Sequence, residues 1–447
     1  MDEQPPDLRS DQSAIRRVRP ALWQWNACDG AFLHYADINP HLHVNCCYLL
    51  HVQSEPPPLA LLKRHIAGRL HLLPALGHRP VRGRWGTRWQ RCGPLDPDDH
   101  IFERVVPAGR HRDAAIEEIH GAELPHDRPL WQIWLVHGGD QPGHVVVVKT
   151  HHAAADGLAK TVVLATLFGE PPPAVSAPPG RRPTLRSWRF ALAELARGVR
   201  PGHLLPPPRT PLTGAWVRTT AQIPESRLRD LARRAAARPN DVHLAIVAGA
   251  LHHWLKGNAD FWKANAPYYL SAVTPIGFRG QGDPADQGNR VGVVRIALPV
   301  GEPSPARRLR LIRQATGNAQ PPPAHRGAMR LLCHSMPGWL VRPFFLYALG
   351  PRHSCMLVSN LPPLAPLAVA GHPVSQARPV GFLYRGHALG FYVGRHNGEV
   401  VATCLADRSM PGAADLAGHH TQAFEELDAM FDGDNLTEQP PGAEGLG

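Results

Sequence analysis

Seven cysteines (Cys28, Cys46, Cys47, Cys92, Cys333, Cys355 and Cys404) are scattered along the chain with no C-x-x-C pair. Such a set offers neither a zinc clip nor a redox couple and indicates a reducing compartment. No apolar run reaches the roughly 18 residues that span a bilayer. The nearest, residues 331–349, is interrupted by His334, Pro337, Arg342 and Pro343 and reads either as a bent, buried helix or as a patch dipping into a membrane surface. The polar stretch from Met1 to Arg19 lacks the basic-then-apolar layout of a secretory signal. A G-x-S-x-G elbow, an H-E-x-x-H helix and a Walker loop are all missing, which argues against serine hydrolases, zincins and P-loop enzymes. Aromatic residues make up only 7% and are not interleaved with basic ones on any strand-like segment, so nucleic acid is not an expected partner. Acidic residues are the minority charge, 37 against 48 basic, and the formal charge of +11 favours phosphorylated cofactors or acidic lipid headgroups.

What is present is an ordinary globular composition, 43% apolar and 19% charged. At 447 residues the chain exceeds what one core supports, so two domains are expected. Its 48 prolines cluster at 170–183 and 201–211 and bracket a helical pattern over 184–200. In that bridge Trp188, Leu192, Leu195 and Val199 form an apolar stripe among arginines: a crossover helix packed on a domain, or a basic amphipathic helix for anionic lipid.

Residues 145–150 form a β-branched run that reads as a buried strand, followed by a polar turn and a helix over 158–168. Asn240 reads as the N-cap of a largely buried helix over 241–256. Further short strands are expected at 268–273, 291–300, 355–359 and 400–405, giving both halves a mixed α/β character. At the end of the first strand stand His151, His152, Ala153, Ala154, Ala155, Asp156 and Gly157. Adjacent strand residues face opposite ways, so one histidine can face a cavity while the other packs. Imidazole is suited to take a proton from a hydroxyl or thiol nucleophile. Asp156, ahead of a glycine turn, reads as architectural and would pair with an arginine. The same divergence of the histidines speaks against a metal site.

The heptad resembles the HHxxxDG motif of the CoA-dependent acyltransferases, and within them the bacterial wax ester synthase/diacylglycerol acyltransferase family. The narrower resemblance rests on Asp29, Phe32 and Leu33 (D-x-x-F-L), Pro129, Leu130 and Trp131 (PLW), Asn240 and Asp241 (ND), Pro275 and Arg279 (P-V-S-x-R), Gly288 and Asn289 (GN), and Ser359, Asn360, Leu361 and Pro362 (SNVPGP). Departures are Gly277 for Ser, Trp134 for His, Gln132 for Glu, and Pro363 and Leu364 for Gly and Pro. The resemblance implies two chloramphenicol-acetyltransferase-like lobes with mixed sheets, a V-shaped pseudo-dimer around a central tunnel. Expected boundaries are a disordered leader at 1–20, an N-terminal lobe at 21–175, a linker at 176–212, a C-terminal lobe at 213–433 and a disordered tail at 434–447.

It implies a catalytic set of His152 as base with His151, Asp156, Gly157 and Asn240, His151 itself packing. Pro129, Leu130, Trp131, Ser359 and Asn360 would bind substrate, with Asn240 or the Ser359–Asn360 pair as oxyanion donors. Arg279, Asp241, Gly288 and Asn289 would be structural, Arg279 being the first choice and Arg290 the reserve as the partner of Asp156. No cofactor or metal is expected; acyl-CoA is a co-substrate and the acceptor a long-chain alcohol or diacylglycerol. The protein would be a cytoplasmic monomer or homodimer at a membrane or lipid-droplet surface. Two alternatives stay open: a same-fold enzyme acylating a specialised alcohol or amine, and a non-catalytic basic protein that binds lipid surfaces or nucleic acid.

Overall fold

The computed structural model describes residues 27–39, 43–83, 86–171, 183–198, 200–205, 211–259, 267–279, 286, 288–319, 325–335 and 338–432. The expected leader and tail lie outside them. The first half runs α1 (Ala27–Asp37), β1 (Asn45–Val52), α2 (Leu59–Ala67), β2 (His78–Gly83), β3 (Gly86–Arg91), β4 (Ile101–Val106), α3 (Arg112–Gly121), β5 (Trp131–Gly138), β6 (His144–His151) and α4 (Gly157–Phe168), and α5 (Leu185–Gly198) follows. The second half runs β7 (Trp216–Pro224), α6 (Glu225–Arg234), α7 (Pro239–Gly257), β8 (Leu270–Gly277), β9 (Val291–Leu298), α8 (Pro305–Ala319), α9 (Arg326–Ser335), α10 (Gly338–Ala348), β10 (Met356–Asn360), β11 (Ala368–Val369), β12 (His372–Val380), β13 (Leu389–His396), β14 (Glu399–Asp407) and α11 (Leu416–Ala429).

Two mixed six-stranded sheets carry these elements, ordered β11-β12-β1-β6-β5-β4 and β7-β14-β13-β10-β8-β9. The expected lobe boundary is corrected here. β11 and β12 come late in the chain but complete the first sheet, β12 pairing antiparallel with β1 (Cys47 opposite Val380). A contiguous second lobe at 213–433 therefore does not describe the molecule, because one lobe lends a strand to the other.

β6 is buried along its whole length because both its faces are covered. Val146 and Val148 join the core beneath α2 and α4, while Val145 and Val147 join a second core between the sheets that includes Val273, Leu357 and Leu405. That burial explains a continuous β-branched run where a half-exposed strand would alternate. Lys149 on the inter-sheet face donates to the carbonyls of Ile119 (2.6 Å) and Ala122, placing a cation on the C-terminal turn of α3. Its burial pushes the ammonium down to about 8.

Three further expectations are revised. Asn240 is not the cap of its helix: α7 starts at Pro239, whose missing N–H costs nothing there, with Arg238 as N-cap. Residues 331–349 do not form one helix; they span the second half of α9 and all of α10. α5 packs beside α9, and His325, just ahead of α9, stacks on Phe190 at 4.6 Å and holds its Nδ1 3.2 Å from the Ser187 hydroxyl. Of the expected stripe, Trp188 is half-buried and Leu192 faces solvent, as does Leu185 (55% and 77% exposed for Leu192 and Leu185); the side chains of Leu195 and Val199 lie outside the described residues.

Candidate active site

The loop from His151 to Gly157 joins β6 to α4 at the junction of the two halves. His151 lies on the last residue of β6, opposite Asn45 of β1, and its N–H donates to Leu130 O (3.0 Å). Its buried ring accepts from Ala153 N–H through Nδ1 (3.1 Å), and burial pushes the imidazole down to about 3. His151 is thus a neutral packing residue. His152 points elsewhere and is half-buried. Its ring stacks on Phe32 of α1 at 4.0 Å and meets the edge of Phe382 at 5.8 Å; Phe345 of α10 stands edge-on to Phe32 at 4.8 Å. Nδ1 is covered and makes no hydrogen bond among the described residues. Burial, with the nearby Lys160 cation adding to it, holds His152 well below the usual imidazole range. At neutral pH the ring is therefore an uncharged base with a lone pair to offer.

Asp156 fixes the other end of the loop. One carboxylate oxygen accepts from Ala159 N–H (2.9 Å), capping α4, and from Arg279 Nη2 (2.8 Å); the other accepts from Arg290 N–H (2.9 Å). Both arginines named in the sequence meet this one buried carboxylate, Arg279 by its side chain and Arg290 by its backbone. Gly288 closes the arrangement: its N–H donates to Ala154 O (3.0 Å) and its carbonyl accepts from Asp156 N–H (3.3 Å) in a short parallel bridge. Gly288 has φ of 59°, the left-handed region where glycine carries no penalty.

Asn289 lies between these contacts, wholly buried. Its Nδ2 donates to the carbonyls of His152 (2.9 Å) and Ala153 (3.1 Å) and to Asp29 Oδ1 (2.9 Å), which also accepts Asn289 N–H (2.8 Å). Trp89 of β3 donates to the other Asp29 oxygen at 3.4 Å. Burial raises the Asp29 carboxyl to about 6, with the Asn289 hydrogen bonds opposing it.

The remaining candidates fall into three groups. Leu130 and Trp131 are buried under the loop, Trp131 donating to Leu76 O (2.9 Å). Both border a small, mostly apolar cavity shared with Leu76, Thr150, Ala154 and Val163, and Pro129 precedes them, its carbonyl accepting Trp131 N–H. Asn240 and Asn360 are brought together, Asn360 Nδ2 donating to Asn240 Oδ1 at 3.1 Å, with Ser359 one residue earlier on β10. Leu361, next in that motif, packs against the His151–Gly157 loop: a Cβ on Gly157 would lie 2.5 Å from Leu361 Cδ2. Asp241 stands apart, accepting from Arg238 (2.9 Å) and Thr316 (2.8 Å) inside the second lobe. The aromatic collar of Phe32, Phe345 and Phe382 escaped the sequence reading, although the D-x-x-F spacing signalled it: three residues apart on a helix share a face. No group of three or more His, Cys, Asp or Glu suited to a metal occurs among the described residues. Nor, among them, is any helix long and apolar enough to cross a membrane.

Comparison with known proteins adds to this geometry. Residues 25–242 match the model of the wax ester synthase/diacylglycerol acyltransferase catalytic domain, and residues 287–428 that of the corresponding C-terminal domain. A putative diacylglycerol O-acyltransferase of Mycobacterium bovis is 30% identical over 369 residues, covering 70% of this chain and 71% of the relative. Among solved structures, the wax ester synthase/diacylglycerol acyltransferase of Marinobacter aquaeolei superposes with a TM-score of 0.64 at 18% identity, covering 92% of this chain and 99% of that one. The first condensation domain of the calcium-dependent antibiotic synthetase superposes with a TM-score of 0.60 at 17% identity, covering 93% and 97%. Both share the two-lobed fold.

Proposed function

This chain belongs to the wax ester synthase/diacylglycerol acyltransferase family, and from that premise we propose that it moves a fatty acyl group from acyl-CoA to a long-chain alcohol or diacylglycerol, with His152 as general base. The observation that carries the reading is the placement of the His152 imidazole against the aromatic rings of Phe32 and Phe382, on a loop clamped at both ends. His152 takes the acceptor's hydroxyl proton as that oxygen attacks the thioester carbonyl. The tetrahedral oxyanion collapses, the carbon–sulfur bond breaks, and the departing CoA thiolate recovers the proton from the imidazolium. No acyl-enzyme forms. The candidates to stabilise the oxyanion are Asn240 or the Ser359–Asn360 pair, which the structure brings together through the Asn360 Nδ2 to Asn240 Oδ1 hydrogen bond. One such donor is worth about 3 to 4 kcal/mol in the transition state. A closed passage between the lobes would hold acyl-CoA and acceptor together and keep water from the thioester.

The acceptor and product partition into lipid, and the exposed Leu185 and Leu192 of α5, flanked by exposed Arg186 and Arg189, support contact with an anionic lipid surface. The test is product analysis by mass spectrometry. Purified protein is given palmitoyl-CoA with hexadecanol, with diacylglycerol, or with a mixture of polar alcohols and amines. Wax ester or triacylglycerol, formed in step with free CoA thiol, is the expected result. Product only from a polar acceptor would replace this reading with that of a specialised acyltransferase.

A further inference from the structure

We propose that Asp29 and Phe32 of α1, acting with Asn289, form a positioning device for the catalytic base: Phe32 sets the plane of the His152 ring, and the Asp29–Asn289 pair sets the backbone from which that ring projects. The inference rests on His152 being the base.

The spacing explains the device. Asp29 and Phe32 are three residues apart on one helix, so both side chains leave the same face and reach the same place. Phe32 lies 4.0 Å from the imidazole with 26° between the planes, a stacked contact that fixes tilt without titrating. The backbone of His152 is held at both polar atoms, its N–H by Val44 O (2.9 Å) and its carbonyl by Asn289 Nδ2 (2.9 Å). Asn289 cannot swing away, because Asp29 Oδ1 takes both its backbone N–H and its side-chain amide. Burying a carboxylate to hold an amide is costly unless the geometry is needed, and here its hydrogen bonds converge on the residue whose placement sets the rate. The same three-residue strap, Gly288 to Arg290, also grips Asp156, so a segment from the second half of the chain positions the whole catalytic loop of the first.

Steady-state turnover of palmitoyl-CoA and hexadecanol tests this in Asn289→Ala, Phe32→Leu and Phe32→Tyr, each also made in a His152→Ala background and checked by thermal unfolding. A base displaced by about 1 Å costs on the order of 100-fold. Asn289→Ala and Phe32→Leu should each lose kcat by about that factor with KM for either substrate within about threefold, while Phe32→Tyr, which keeps the stacked ring, retains turnover. In the His152→Ala background neither substitution should lower the residual rate further. Folded Asn289→Ala and Phe32→Leu proteins with normal kcat, or with raised KM alone, would overturn the proposal. So would loss of the fold in both, since the pair would then be structural keystones. Full activity in His152→Ala alone would instead overturn the assignment of the base.

Discussion

At the scale of single residues, the site separates two histidines and a carboxylate that look equivalent in sequence. His151 and His152 are adjacent, yet one is locked into strand pairing and the other lies against an aromatic collar. Strand alternation anticipates that division. The choice between them needs the collar, of which the D-x-x-F spacing marks only Phe32; Phe345 of α10 and Phe382 after β12 come from distant segments with no local signal. Asp156 shows the reverse case: its architectural role is legible from a carboxylate before a glycine turn at a strand end, and the two candidate arginines follow from the family resemblance. What could not be read was that Arg290 contributes through its backbone. Removing the carboxylate breaks the nearly buried ion pair with the Arg279 guanidinium (2.8 Å), and breaking such a pair costs about 3 to 5 kcal/mol. Asp156→Ala should therefore lower the midpoint of denaturant unfolding by a corresponding amount with an unchanged m-value.

Element by element, strands and helices with strong periodicity appear where the pattern places them, within a few residues at their ends. β6, α4 and α7 are the clearest cases. Errors arise where tertiary packing overrides local sequence. In α5, Leu192 faces solvent while Ser187 and Phe190 meet His325, the residue just ahead of α9. The crossing of β11 and β12 into the first sheet has no local signature at all, since a strand's sequence does not say which sheet it joins. That crossing is tightly specified where β12 gives way to the next segment. A Cβ on Gly381 would lie 1.9 Å from a ring carbon of Tyr392, whose hydroxyl bridges both backbone groups of Phe382, the residue edge-on to His152. Gly381→Ala should push this ring aside, costing about 1 to 3 kcal/mol of overpacking and reducing turnover along with stability. Comparing thermal unfolding with kcat in that variant checks both effects.

Over the whole molecule, the unusual feature is the number of buried histidines. Burial pushes His43, His51 and His151 down to about 3, and His387 and His420 to about 4. Between those values and 6.5 the unfolded chain binds protons that the folded one refuses. The contribution of each histidine is thus intact above pH 6.5 and declines as pH falls toward its folded value. At pH 5 each costs about 2 kcal/mol relative to pH 7. Asp29, raised to about 6, acts with the opposite sign, losing its contribution as pH rises through 6, but one carboxyl cannot offset five imidazoles. Thermal unfolding across pH 4 to 8 should show a steep loss of stability below pH 6.5. His420→Leu, removing a buried ring whose two nitrogens make no hydrogen bond among the described residues, should flatten it.

The two lobes, their shared strand and the strap from Gly288 to Arg290 converge on one imidazole. The most direct test of that convergence is the rate of CoA thiol release from palmitoyl-CoA in the presence of hexadecanol, compared between the unaltered protein and a His152→Ala variant of matched thermal stability. A general base contributes about 10²- to 10⁴-fold, so the variant should fall by at least the lower factor while keeping its unfolding midpoint. A folded variant that still releases thiol within a few-fold of the original rate would contradict the account.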